Sequence, residues 1–106
     1  MNILNFDSTE QEQILDEIGT DPDALKRLKQ ELDSSYESLL FLGKNLLEND
    51  LLNSAIFNIR LLFTLYKREE NYERLAELKK LVDLIENSNV SVVDKKIIES
   101  LKVNLN

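Results

Sequence analysis

Apolar residues recur along this chain at helical spacing, three and four positions apart. The pattern predicts helices over about 8–18, 22–48, 51–68, 72–87 and 91–103, with a short tail at 104–106. Ser8 opens the first, with Gln11 completing a capping box. Ile14, Leu15 and Ile18 form its apolar stripe, and Gly19 stops it. Asp21 then suits an N-cap and Pro22 a first helical turn, where a missing N–H costs nothing. From there Leu25, Leu28, Leu32, Leu39, Leu42 and Leu46 keep a heptad rhythm, with Ser35 filling the gap. "DSSYE" offers a competing start, since Ser34 and Glu37 have capping-box spacing, but the apolar phase survives it and favours one continuous helix. A turn is expected near Asn49 and Asp50. Asn71 caps the fourth helix, whose face is Leu75, Leu78, Val82 and Ile85. Ser91 and Asp94 start the last, lined by Val93, Ile97 and Leu101.

The stretch "SAIFNIRLLFTLYK", residues 54–67, is too apolar for an ordinary surface helix and too short to span a membrane. At 100° per residue, Asn53, Arg60, Thr64 and Lys67 share one narrow polar stripe. Ala55, Ile59, Leu62 and Tyr66 make one apolar face, and Phe57, Leu61 and Leu65 a second. Such a helix sits between neighbours. The helices before and after it are joined by short turns, so both should lie antiparallel against it. The first face is expected to pack inside the domain. The second, Phe57, Leu61 and Leu65, is the candidate partner-binding surface unless helix 8–18 or 91–103 covers it.

Composition supports an all-α fold: 106 residues hold only two Gly and one Pro. The expected architecture is one compact bundle of about five helices with antiparallel hairpins, tetratricopeptide-like or four-helix-bundle-like. No basic region followed by an apolar run marks a signal peptide, and no run is long enough to span a membrane. The absence of Cys fits a reducing, cytoplasmic setting. The net charge of −7 sits wholly in residues 7–37, while the remainder balances. That balance disfavours nucleic acid, whose binders cluster Lys and Arg. It makes Glu12, Asp16, Glu17, Asp21 and Asp23 a candidate acidic docking face for a basic partner, or a solubilising surface.

The segment "FLGKNLLENDLLNSAIFNI" carries a Leu42–Gly43 pair in one helix and Ala55 in the next. With "LYKREENYERLAEL", whose Tyr66 and Tyr72 fall near aromatic positions, it resembles tetratricopeptide repeats over about residues 36–87. The resemblance implies a helical-hairpin interaction module and assigns no binding residue.

Little chemistry is available. Without His or Cys there is no imidazole base, thiol nucleophile or zinc ligand set. No Gly-rich elbow or phosphate loop surrounds the hydroxyls. Glu70, Glu73 and Glu77 share a helical face, but Arg74 and Lys80 flank them and favour surface pairing over a metal. "DPDALKRLKQEL" lacks the Gly and final Glu of a calcium loop. No enzyme, metal or cofactor is expected. The leading expectation is a small acidic chaperone or adaptor that binds an apolar or amphipathic helix of another protein. The alternatives are an inhibitor or immunity-type protein docking through residues 7–37, and a homodimer through the 25–46 heptads.

Overall fold

The computed structural model describes residues 3–21, 23–43, 45–46, 51–88 and 90–104. Among them are six helices and no strand: α1 (Ser8–Thr20), α2 (Ala24–Arg27), α3 (Lys29–Leu42), α4 (Leu52–Arg68), α5 (Tyr72–Glu86) and α6 (Val92–Asn104). The all-α expectation holds. The extra helix arises where one continuous element was expected over 22–48.

That element breaks at Leu28, not at "DSSYE". Leu28 has φ −98° and ψ 2°, and its N–H reaches back only three residues to the Leu25 carbonyl. The sequence carries no Gly or Pro there. The tertiary setting does the work: α2 packs on both α1 and α4, while α3 packs along α4. Ser34 and Glu37 lie inside α3, where local capping spacing loses to a continuous buried face. The helix ends at Gly43, which takes φ +50° at no steric cost. A Cβ at Gly43 would meet only the Leu84 side chain, at 3.7 Å, so what glycine supplies here is the positive φ rather than a close approach of two helices. The expected turn at Asn49 and Asp50, and the first-turn role of Pro22, lie outside the described residues.

The first cap also differs from expectation. Asp7, not Ser8, is the N-cap: its Oδ1 accepts from the Glu10 N–H at 2.8 Å, and Glu10 Oε1 accepts from the Asp7 N–H at 3.3 Å. The spacing is the same as that of Ser8 and Gln11, but a carboxylate is the stronger acceptor. Gly19 lies within the helix rather than ending it. The stop falls at Asp21, whose backbone is extended. A following proline imposes that conformation by clashing with the helical one. Asn71 and Ser91 do cap as expected: Asn71 Oδ1 accepts from the Arg74 N–H and Ser91 Oγ from the Asp94 N–H.

Cross-helix contacts give the topology. Along α3 and α4, Lys29 meets Glu69, Asp33 meets Tyr66 and Ser35 meets Asn58, so the two run antiparallel. Tyr66 meets Arg74 and Phe63 meets Lys79, which makes α4 and α5 antiparallel as well. Lys102 bridges to Asp83 and Glu86, orienting α6 against α5. Helix α4 also packs on α2 and α6, so it sits at the centre. A radius of gyration of 13.1 Å matches the ~13 Å of a compact domain of about 100 residues.

The exit from α4 is a Schellman-type turn. The Asn71 N–H bonds the Tyr66 carbonyl at 2.9 Å, and Glu70 sits at φ 56°, where glycine is the usual occupant. This places Glu70 outside α5, so it does not share a helical face with Glu73 and Glu77.

Candidate functional site

The expectation that Phe57, Leu61 and Leu65 form an exposed surface is overturned. They are 5%, 1% and 2% exposed, nearly as buried as Ala55, Ile59, Leu62 and Tyr66. Two elements explain this. Helix α6 packs on α4, with Ile98 and Leu101 in the same core. The segment 3–7 before α1 lies against the core through Ile3, Leu4 and Phe6. Phe6 meets Phe57 edge-on at 5.7 Å between ring centres. Among the described residues, the exposed large apolar side chains are Phe41, Tyr72, Leu84, Val92 and Val103, and none is on α4. The heptad seam is consumed in the same way. Leu25, Leu32, Leu39 and Leu46 are buried within the chain, and Leu28 and Leu42 are half-buried.

The candidate acidic face divides in two. Asp21 and Asp23 are tied into the α1–α2 turn. Asp21 accepts from the Asp23 N–H at 2.9 Å and pairs with Arg27 at 2.8 Å. The backbone hydrogen bond and then the guanidinium hold its carboxyl below the usual range. Asp23 pairs with Lys26. Glu12, Asp16 and Glu17 are different: they stand exposed on α1, and none makes an ion pair among the described residues. Helix α1 buries none of its residues. Glu10, Gln13, Ile14, Asp16, Glu17 and Thr20 border an open, largely acidic depression with half-buried Ile14 in it.

A second polar cluster lies between α3, α4 and α5. The Tyr66 hydroxyl donates to Asp33 Oδ1 at 2.7 Å, and Arg74 Nη1 donates to both, at 3.0 and 2.7 Å. The Arg74 guanidinium also lies 4.6 Å from the Tyr36 ring centre. Burial, and then the bond to Asp33, push the Tyr66 phenol well above its ordinary value. Burial works against the charge on Arg74, but its bond to Tyr66 and the attraction of Asp33 outweigh it and raise its pKa. Arg74 thus serves a cross-helix network rather than a surface pair with neighbouring glutamates. Lys80 does pair with Glu77, at 3.4 Å. Among the described residues no group of three or more acidic, His or Cys side chains is placed to hold a metal ion.

The third cluster was not apparent in the sequence. Asn58 is fully buried on α4. Its Oδ1 accepts from the Leu4 N–H at 3.1 Å and from Ser35 Oγ at 2.6 Å. Its Nδ2 donates to the Leu4 and Ser54 carbonyls, each at 2.7 Å. The carboxamide therefore pairs with both main-chain groups of Leu4. A clue existed: at 100° per residue Asn58 falls between Leu65 and Leu62, well away from the polar stripe of Arg60. A polar residue at the centre of an apolar arc needs buried partners.

No described helix is long and apolar enough to cross a membrane. Comparison with known families, with curated proteins and with solved structures finds no match to this chain.

Proposed function

We propose that this protein acts without catalysis, by binding a basic surface of another protein through the exposed side of α1. The observation that carries this reading is the unbalanced exposure of Glu12, Asp16 and Glu17. These acids and Glu10 stand exposed on a helix that carries no base, and Glu12, Asp16 and Glu17 have no ion-pair partner among the described residues. A helix that packs only partly buried Ile14, Leu15 and Ile18 against the core and carries one sign of charge on its exposed side offers an electrostatic face with a small apolar contact. Such a face steers association and sets partner choice. The antiparallel hairpins α3–α4 and α4–α5 support the helical-hairpin interaction module that the tetratricopeptide resemblance implies. A cysteine-free chain suits work in a reducing cytoplasm.

Affinity capture at low salt tests the proposal. A partner retained by the wild-type protein should be lost from an Asp16→Lys, Glu17→Lys variant and from the wild type as salt rises. It should remain on a Lys79→Glu, Lys80→Glu control. Equal recovery by both variants would remove α1 from the contact.

A further inference from the structure

We propose that the cleft between α4 and α6 binds a small carboxylic acid with a short aliphatic body. The proposal concerns a different surface from the acidic face of α1 and does not rest on it.

The cleft follows from how two helices turn their flanks toward each other. Helix α6 sends Ile98 and Leu101 into the core beside α4. Positions four apart on a helix stack along one line. Lys96 and Ser100 form one such line, and Ile97 and Leu101 the next. On α4 the facing line is Ile56 and Arg60. These six side chains border a depression of about 300 Å³, at the lower end of the range for small-molecule sites.

The lining combines two chemistries. Its apolar part is aliphatic: Leu101 is buried, and Ile56 and Ile97 are half-buried. Its charge has one sign. Arg60 comes from α4 and Lys96 from α6, both exposed, while Asp94 and Glu99, the acids of α6, lie outside the lining. Neither cation makes an ion pair among the described residues. Two cations bordering one cleft repel each other, and an anion between them turns that repulsion into attraction.

The class of anion follows from the backbone around it. The cleft opens on the sides of α4 and α6, beyond the first four residues of each, where main-chain N–H groups are committed to the helix. Phosphate sites draw on free N–H groups at helix N-termini, and none borders this cleft. Here the charged donors are one guanidinium and one ammonium. A guanidinium matches the two oxygens of a carboxylate with two parallel N–H groups. The three aliphatic side chains then cover a hydrocarbon body. The depression at Phe63, Thr64, Lys67 and Arg68 also carries two cations, but its whole lining comes from α4, so it has one wall and holds no such body.

Hexanoate titrated into the isotope-labelled full chain at constant ionic strength tests this. Amide shifts should saturate around 56–60 and 96–101, with a Kd in roughly the millimolar range expected for about eight non-hydrogen atoms. Acetate, which lacks the body, and hexan-1-ol, which lacks the charge, should each bind at least about tenfold more weakly. Inorganic phosphate at equal concentration should not displace hexanoate. Arg60→Gln and Lys96→Gln should each raise the Kd about fivefold, and a Lys67→Gln, Arg68→Gln control should keep it within about twofold. All four side chains are exposed, and circular dichroism checks that the variants stay helical. Shifts that spread over the surface without saturating would overturn the proposal. So would hexan-1-ol or phosphate binding as tightly as hexanoate, or a control that weakens binding as much as Arg60→Gln.

Discussion

Helices α1 and α4 are of similar length and have opposite fates. Ser8–Thr20 buries no residue, while Leu52–Arg68 buries ten, including Asn58. The first is held by its cap, its contact with α2 and its partly buried Ile14, Leu15 and Ile18, and the second is enclosed by α2, α3, α5 and α6. Stability is therefore concentrated in one helix, while the other carries four exposed acids and no base. A change to one should barely disturb the other, which separates the fold from the face proposed to bind.

The sharpest test of that separation is a matched pair of substitutions. Leu62→Ala should cost about 2–5 kcal/mol, as a buried large-to-small change. Leu61→Ser should cost at least as much, because it both empties space and buries a hydroxyl. Ile14→Ser on α1 should cost less than about 1 kcal/mol, since its side chain is already half in water. Urea unfolding of the three variants checks this, and a mild Leu61→Ser would mean that α4 is not enclosed as described. Far-ultraviolet circular dichroism should show one cooperative helical transition for the wild type.

Asn58→Ala comes next. It strands the Leu4 N–H and carbonyl and the Ser35 hydroxyl, and should cost about 1–3 kcal/mol. Glu70→Gly should act in the opposite direction, raising stability by about 1 kcal/mol, because it relieves a left-handed conformation at the exit from α4. Thermal melts of both variants measure the two signs side by side.

The pH response is smaller and comes from α4. The Tyr66 phenol titrates higher in the folded chain than its ordinary value of 10.0. The folded state therefore holds this proton more tightly. The associated stability is complete below about pH 10 and declines as pH rises from there toward the folded value. Tyr36 and Lys29 are also raised and act in the same direction. Tyr66→Phe should flatten the decline in urea midpoint between about pH 9.5 and 11.5. An unchanged slope would assign the decline to the other groups.

The smallest effect on the fold should come from Asp16→Lys with Glu17→Lys. The melting temperature should move by less than about 2 °C, and upward if at all, because cations suit the last turn of a helix. The same variant should lose the partner. Its indifference in stability and its effect on binding together would make the contrast between α1 and α4 complete.

Much of this was legible from local sequence, and the remainder depended on what each segment meets. The two apolar faces of α4 could be read because burial on both sides leaves only a narrow polar stripe, and Asn71 and Ser91 could be read because a cap acts within three residues. The break at Leu28 could not, since no residue there disfavours a helix and the cause is how α2 packs. The shift from Ser8 to Asp7 reflects two capping boxes with the same spacing, decided by the strength of the acceptor. For Phe57, Leu61 and Leu65 the last helix could be named as a possible cover, and α6 does pack on α4, but the segment 3–7 has no periodicity, so nothing in the pattern showed that it also returns to α4. The same omission hid Asn58, whose partner Leu4 lies 54 positions away. Glu12, Asp16 and Glu17 were recognisable as surface residues from charge alone, but separating them from Asp21 and Asp23 required the turn geometry.

Asn58 also sets the rotational phase of its helix. A cylinder clad in leucine, isoleucine and phenylalanine can turn about its axis and still find apolar neighbours, because volume-conserving exchanges among such side chains cost under about 1.5 kcal/mol. One carboxamide removes that degeneracy. It has a single orientation in which Leu4, Ser35 and Ser54 all meet it. In any other, its donors and acceptors stand unmet in a medium without water. An Asn58→Leu chain that regained stability would still be expected to show broadened or multiple methyl resonances along α4, the mark of a core that no longer distinguishes one alignment from the next.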